Sequence, residues 1–219
     1  MMGSPDSDRT RRAVLAGAAA TALAPSLAEA ASAPAPRDVV RNPAFKPWSR
    51  VAFPKALPQD QMVNLPGGRE TTFGAWLGGA PAVVVVWATW CAPCMSEKAH
   101  QAFLTRRLAA TYTRTRIKML QAFDNVGVDE GMKALERVNA KGLDVAAASV
   151  PLEQSLIGLF GPSTAQTNRI AIPSELLLAA DGSEIGRARG QLAGVSGQSY
   201  WMDITTYQFL VSLEHLMKG

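Results

Sequence analysis

The chain has 219 residues, of which 47% are hydrophobic, which is enough for one well-buried domain and an additional tail. The net charge of +4 comes from 22 basic and 18 acidic residues that are mixed along the sequence, so we expect no nucleic-acid partner. The chain has only two cysteines, Cys91 and Cys94. They lie too close together for a bridge between them to stabilise the fold, so they indicate chemistry or metal binding.

The first 33 residues have the features of an export signal. Arg11 and Arg12 precede an alanine-rich apolar stretch, and the small residues at 28–30 and 31–33 offer cleavage sites. Paired arginines before a weakly hydrophobic core are typical of the twin-arginine route. The apolar stretch is shorter than the roughly 20 residues that span a membrane. We therefore predict a periplasmic protein whose signal, residues 1–33, is removed. The alternatives are an uncleaved signal that anchors the protein and an unstructured tail.

Residues 34–58 are rich in proline, which lacks a backbone donor and restricts the residue before it. This composition predicts a linker, and we expect the folded domain to span residues 59–219. The prolines of this segment are Pro34, Pro36, Pro43, Pro47, Pro54 and Pro58.

The predicted domain begins with a small hairpin, formed by Met62–Leu65 and Glu70–Phe73 around a Pro-Gly-Gly turn. The run Ala82–Ala88 is continuously apolar and β-branched, which predicts a strand buried on both faces. The two cysteines follow this strand, and a helix is predicted over Met95–Thr111. The cysteines therefore lie at a strand-to-helix turn. Phe103, Leu104 and Leu108 are the residues that we expect on the apolar face of this helix.

The remaining segments alternate between strand and helix patterns, and a hairpin precedes the last helix. This order predicts an α/β fold with a mixed central sheet flanked by helices and an N-terminal hairpin extension. The candidate strands and apolar segments are Ile117–Phe123, Leu143–Val150, Glu175–Ala180 and Ser183–Arg189. The candidate helices are Asp129–Lys141, Pro151–Phe160 and Trp201–Met217.

Two thiols separated by two residues can form a self-contained redox unit. One thiolate attacks a disulfide, and the second thiol resolves the mixed disulfide that results. We expect Cys91 to attack, because the free N–H groups and the dipole at the start of the helix stabilise its thiolate, and Cys94 to resolve. The alternatives are inert core cysteines, or a copper or zinc site completed by His100 or His215. Neither histidine has the spacing of a zinc motif, so we predict no metal.

Glu97 is a candidate proton acceptor for Cys94. It lies three residues after Cys94 and therefore on the same helical face, one turn away. A carboxylate whose pKa is raised by burial is a suitable base for a buried thiol at neutral pH. Alternatively, an acid in the first helical turn only complements the helix dipole.

The run from Trp87 to Cys94 resembles the active-site segment of the TlpA/ResA branch of thioredoxin-like proteins. The resemblance extends more loosely from the hairpin to the C-terminal helix. It implies a thioredoxin fold, a location outside the cytoplasm and reduction of client disulfides, often in cytochrome c maturation or in assembly of the copper centre of cytochrome oxidase. It also implies a functional role for Glu97. The chain departs from the pattern at Met95 and Ala99, where relatives commonly carry a basic residue and a helix-kinking proline.

Thioredoxin-like proteins carry a cis-proline that faces the active-site cysteines, and the resemblance assigns this role to Pro173. The backbone of Ile172 would then pair with an extended client segment. Trp90 is assigned to the client-contact surface and Trp87 to the core. An ordinary trans proline is the alternative, and Pro162 is a competing candidate.

The function predicted for this chain is that of an exported thiol-disulfide oxidoreductase without a cofactor. It would be a monomer that reduces a disulfide in a client protein and receives electrons from a membrane donor of thiol-disulfide type. One alternative is a thiol oxidase or isomerase that uses the same cysteines. The other is a copper-handling metallochaperone.

Overall fold

The computed structural model describes residues 37–50, 57–161 and 169–217. The predicted signal at residues 1–33 and the competing proline Pro162 lie outside these ranges, as does part of the predicted linker. Among the helices of these ranges, none has both the length and the apolar character needed to cross a bilayer.

The described ranges contain one sheet. Its strands are β1 (Ser49–Arg50), β2 (Met62–Leu65), β3 (Arg69–Thr72), β4 (Ala82–Trp87), β5 (Arg116–Gln121), β6 (Asp144–Ala148), β7 (Ser174–Leu178) and β8 (Glu184–Arg189). The α-helices are α1 (Arg37–Arg41), α2 (Phe73–Leu77), α3 (Ala92–Ala109), α4 (Val128–Arg137), α5 (Val150–Phe160) and α6 (Ile204–Leu216). Short 3-10 helices lie at Pro43–Phe45 and Tyr200–Met202.

The sheet is mixed, and its strand order is β1-β8-β7-β4-β5-β6-β2-β3. Strands β4, β5 and β6 are parallel to one another, whereas β7, β8, β1, β2 and β3 pair with their neighbours in antiparallel fashion. The fold-class prediction is confirmed, including the hairpin β2–β3, which extends the sheet beyond β6.

Strand β4 lies near the middle of the sheet, and every one of its residues is buried. Successive side chains of a strand point to opposite faces, so Val83, Val85 and Trp87 face one side and Val84 and Val86 face the other. Helices α3, α4 and α6 contribute to the apolar cluster on the first side, and α2 and α5 to the cluster on the second. A strand with apolar residues on both faces is thus covered by helices on both, as its continuous apolar sequence predicts.

Two helical details differ from the predictions. Helix α4 ends at Arg137, before the predicted Lys141, because Asn139 takes a left-handed conformation with φ of 57°. Phe103 is 41% exposed, whereas Leu104 and Leu108 are buried. Adjacent helical residues differ by about 100° in direction, and Phe103 lies outside the buried face to which Leu104 and Leu108 belong.

The segment 37–50, which was predicted as linker, packs on the domain. Strand β1 pairs with β8, so this segment supplies an edge of the sheet. Val39, Phe45 and Trp48 are buried, and Trp48 Nε1 donates a hydrogen bond to the Tyr200 hydroxyl at 3.0 Å. The folded unit therefore begins before residue 59. The prolines of this segment coexist with regular structure because Pro43 opens a 3-10 helix, a position that needs no backbone donor.

The close packing of this segment predicts that Phe45→Ala destabilises the whole domain. Phe45 is buried, and its ring lies close to Gly186 of β8. A Cβ atom added to Gly186 would lie 3.0 Å from the Phe45 ring. Removing a buried ring leaves a cavity, so the free energy of unfolding should fall by about 3–5 kcal/mol in denaturant titrations. The neighbouring exposed Lys46, changed to alanine, is the control, with an expected effect within about 0.5 kcal/mol. Equal, small effects at both positions would show that the segment is a linker.

Candidate active site

Cys91 and Cys94 form a disulfide at the turn between β4 and α3. The local sequence explains this turn. Cys91 has an extended backbone and is the N-cap of α3, and the backbone N–H of Cys94 donates to Cys91 Sγ at 3.2 Å. Pro93 lies in the first turn of the helix, where its missing N–H leaves no hydrogen bond unmade. The structure therefore contains the oxidised form of the cysteine pair.

The sulfur of Cys91 lies at the positive end of a helix of 18 residues. The unpaired N–H groups of a first helical turn and the helix dipole both favour a negative charge at this place. In the reduced protein these groups would stabilise the thiolate form of Cys91. The position suits the attacking role that the sequence analysis assigns to Cys91.

The peptide bond between Ile172 and Pro173 is cis, as the resemblance implied. The Ile172 carbonyl oxygen lies 3.7 Å from Cys91 Sγ, although the two residues are 81 positions apart in sequence. Pro173 is buried and begins the approach to β7. The structure thus places the Ile172 carbonyl beside Cys91 and Pro173 directly after it, and the role of both residues in client binding stays a prediction.

Trp90 is 51% exposed beside the disulfide. Its indole Nε1 donates to the Phe123 carbonyl oxygen at 3.1 Å, and the guanidinium of Arg169 lies 5.7 Å from the ring centroid. The ring is therefore held in place while it offers an apolar face next to Cys91. Trp87, in contrast, is fully buried, which confirms its assignment to the core.

Asp124, to which the sequence analysis gave no site role, holds the loop before the cysteines. Its carboxylate accepts hydrogen bonds from the Thr89 backbone N–H at 2.6 Å and from the Thr89 hydroxyl at 2.9 Å. The Gln121 amide donates to the same carboxylate at 3.1 Å. The sequence did contain a signal for this role, because Asp124 comes just after a parallel strand and the ends of parallel strands meet at one edge of the sheet.

Glu97 is buried one helical turn after Cys94. Burial raises the pKa of its carboxyl, an effect that the Trp201 side chain and the charge of Lys98 partly oppose. Its Oε2 atom has no hydrogen-bond partner within the part of the chain that the structure describes. A carboxyl whose pKa is raised in this way holds its proton at a higher pH than an exposed carboxyl does. Glu97 thus has the burial and the direction of pKa shift that a base for Cys94 requires.

An open groove of about 450 Å³ passes over Glu97, between α3 and the loop before α6. His100 and Ser199 also line it, together with Gln191, whose side-chain amide donates to the Pro93 carbonyl at 3.2 Å and to Ser96 Oγ at 2.9 Å. His100 is half-buried here. The groove links Glu97 to solvent.

Two further ionisable residues, Lys98 and Glu175, are fully buried on the same side of the sheet. Burial lowers the pKa of Lys98 to about 7, although Glu175 and Glu97 both act to raise it. Burial raises the pKa of Glu175 well above its usual value, Glu97 raises it further, and Lys98 lowers it. Sequence reasoning missed both residues. A glutamate inside the apolar strand pattern Glu175–Ala180 was the available signal.

Within residues 37–50, 57–161 and 169–217, no group of three or more His, Cys, Asp and Glu side chains is arranged to hold a metal ion.

No protein-family model and no curated protein matches this chain. Solved structures do match. A thiol:disulfide interchange protein from Bacteroides sp. is 12% identical over 77% of this chain and 92% of its own length, with a TM-score of 0.50. A secreted thiol-disulfide isomerase from Corynebacterium glutamicum is 18% identical over 78% and 91%, with a TM-score of 0.49. A secreted disulfide oxidoreductase from Mycobacterium tuberculosis is 15% identical over 73% and 96%, with a TM-score of 0.44.

At this level of identity the match to the Bacteroides protein shows the fold, and assignment to the TlpA/ResA branch stays a prediction. The mixed sheet, the cysteine pair between β4 and α3 and the cis-proline before β7 agree with that fold. The chain therefore has a thioredoxin fold, and the Bacteroides protein that shares this fold is a thiol:disulfide interchange protein.

Proposed function

We propose that this protein is an exported thiol-disulfide oxidoreductase that reduces disulfides in client proteins. The observation that carries the proposal is the Cys91–Cys94 disulfide at the start of α3, with the cis Ile172–Pro173 bond facing Cys91. A reversible disulfide next to a client-binding edge is the minimum that dithiol exchange requires. The activity of the Bacteroides protein, a thiol:disulfide interchange protein of the same fold, agrees with it.

The proposed reaction begins with the reduced protein. The Cys91 thiolate attacks one sulfur of the client disulfide, and the other client sulfur leaves as a thiolate that takes a proton from solvent. Cys94 then gives its proton to Glu97 and attacks Cys91 in the mixed disulfide. The second client thiolate leaves, the Cys91–Cys94 disulfide forms, and two electrons have passed from the protein to the client.

The client is proposed to bind across Trp90 and the edge at Ile172. The exposed Trp90 ring supplies an apolar contact, and the backbone of Ile172 supplies hydrogen-bonding groups for an extended segment. Neither contact selects for a side-chain sequence. Recognition of an unfolded or extended segment is therefore favoured, as expected for a protein that acts during maturation of cytochrome c or cytochrome oxidase.

Export and the source of electrons complete the proposal. The arginine pair at residues 11–12 and the apolar stretch after it support export by the twin-arginine route to the periplasm. A reductase in that oxidising compartment must itself be reduced again, which calls for a membrane donor of thiol-disulfide type. We propose that it acts as a monomer.

The reduction potential of the cysteine pair tests the direction of electron flow. The full chain is equilibrated with defined ratios of reduced and oxidised glutathione, and the fraction of disulfide is measured after acid trapping. A reductase should have a potential nearer to the about −270 mV of thioredoxin than to the about −120 mV of a strong disulfide oxidant. A value near the oxidant's would favour the thiol oxidase or isomerase instead. The Cys91→Ser variant, which cannot form the disulfide, is the control.

A further inference from the structure

Glu97, Lys98 and Glu175 lie together on the side of the sheet that α3 covers. Glu97 and Lys98 are neighbours on α3. Glu175 is on β7, directly opposite Val85 of β4. Residues that are directly opposite in neighbouring strands point to the same face, so Glu175 lies on the face of Val85, which belongs to the same apolar cluster as Cys91 and Cys94.

Within the described ranges, Lys98 makes no hydrogen bond to a charged group. Lys98 Nζ donates to Gln101 Oε1 at 2.9 Å, lies 3.6 Å from Met119 Sδ and is 5.1 Å from the centroid of the Trp87 ring. Both carboxylate oxygens of Glu175 lack a hydrogen-bond partner within the described ranges. The opposite charges that act on Lys98 are those of Glu175 and Glu97.

This arrangement is a poor way to stabilise a fold. A buried charge pair with unsatisfied groups contributes less to stability than an apolar pair of similar volume. Glu97, the acid that is proposed to take the proton from Cys94, lies with Lys98 in the first turns of α3, and Glu175 lies on β7 on the face of the sheet that this helix covers. Its position therefore points to an effect on proton transfer.

Other titratable groups also face the cluster. Tyr200 is fully buried on the 3-10 helix before α6, and burial raises the pKa of its hydroxyl well above the usual range, so it stays neutral. Burial acts to raise the pKa of Asp203, but hydrogen bonds from Ser196 and Thr205 outweigh this effect and hold the pKa at about 2. Asp203 therefore keeps a constant negative charge near neutral pH. His100 lines the groove beside Glu97. Lys98 and Glu175 are the two charged residues whose substitution can test an effect on Glu97.

We propose that Lys98 and Glu175 are positioning residues whose ionisation states set the proton affinity of Glu97, and thereby the pH at which Cys94 resolves the mixed disulfide. The proposal rests on the proposed function. A positive Lys98 favours the carboxylate form of Glu97, and a negative Glu175 favours its protonated form. The three groups titrate as a coupled set, so a change in one is felt by the others.

The test follows the pH dependence of the resolution step. The reduced full chain is mixed with the aryl disulfide dithiobisnitrobenzoate, which releases one coloured thiolate when Cys91 attacks and a second when Cys94 resolves. The midpoint of the pH profile of the second release should rise by about one pH unit in Lys98→Met and fall by about one pH unit in Glu175→Gln. A residue with only a structural role would not produce shifts of opposite sign.

Substitutions in two further combinations separate an effect through Glu97 from general damage to the fold. In a Glu97→Gln background, neither substitution should change the pH profile of the second release, because both act through Glu97. The double variant Lys98→Met/Glu175→Leu removes both charges and leaves an apolar core, so its midpoint should return towards that of the wild type.

Lys118→Met is the matched control, because Lys118 is a second buried lysine that lies on the other face of the sheet. Its Nζ donates a hydrogen bond to the Trp76 carbonyl oxygen at 2.6 Å and forms an ion pair with Asp144 at 2.5 Å. Its midpoint should equal that of the wild type. Shifts of the same sign in both single variants, no shift in either, or shifts that persist without Glu97 would overturn the proposal. Failure of the proposed function would look different, because it would appear as a reduction potential near that of a strong disulfide oxidant, which the release of thiolate from the aryl disulfide does not measure.

Discussion

The Cys94→Ser variant is expected to accumulate a covalent complex with a disulfide-containing client. Cys91 remains able to attack, but no second thiol is present to resolve the mixed disulfide. The reduced variant is mixed with an excess of a disulfide-containing protein, the reaction is quenched with acid, and the products are separated without reductant. Most of the variant should migrate as a complex that a reductant dissolves, whereas the wild type should show almost none.

Cys91→Ser is the matched control for this experiment. It also keeps a single thiol, but that thiol lies inside the first turn of α3, whereas Cys91 is the N-cap, next to the Ile172 carbonyl. We expect no complex with Cys91→Ser, and turnover at the rate of uncatalysed exchange in both variants. Equal trapping by the two variants would contradict the division of roles. Absence of any complex with Cys94→Ser would contradict the proposed function.

The Glu97→Gln variant is expected to slow the resolution step by about 100-fold at neutral pH, the usual contribution of a general base. Glutamine keeps the size of the side chain but cannot accept the proton of Cys94. The second thiolate release from dithiobisnitrobenzoate measures this step separately from the attack by Cys91, which should be nearly unchanged.

The pH dependence of the resolution rate tests the role of Glu97 more specifically. Burial raises the pKa of Glu97 above its ordinary value, so its carboxylate form is lost as the pH falls through that raised pKa. The wild-type resolution rate should therefore rise with pH across this interval, and the rise should be absent from Glu97→Gln. Glu136→Gln, at an exposed acid on α4, is the control and should keep the wild-type profile. An unchanged profile in Glu97→Gln would remove Glu97 from the mechanism and leave it with the dipole role alone.

Much of the fold could be predicted from local patterns. The continuous apolar run of β4, the hairpin signals at 66–68 and 181–182 and the alternation of strands and helices all correspond to elements of the structure. Prediction was weaker where a boundary depended on one backbone conformation, as at Asn139. It was also weaker for the segment 37–50, because its many prolines obscured the apolar residues Phe45 and Trp48 that attach it to the domain.

Some residues of the candidate site could likewise be predicted from local patterns, and others could not. Cys91, Cys94 and Glu97 lie within seven residues of one another, so spacing and helical periodicity placed them together. The partners that come from other elements were harder to identify. Asp124 follows β5, and Glu175 is on β7, so their proximity to the cysteine turn depends on strand order and register. For Pro173 it was the family resemblance, and not the local pattern, that supplied the prediction.

The sequence by itself therefore determined the spacing of the cysteine pair, its place at a strand-to-helix turn and the α/β character of the chain, since these depend on spacing and periodicity over a few residues. Tertiary structure decided which distant groups surround the pair. It placed the Ile172 carbonyl 3.7 Å from Cys91 and enclosed Lys98 with Glu175 behind Glu97. The physical reason is that burial and charge interactions, which set proton affinities, arise from contacts between segments that are far apart in the chain.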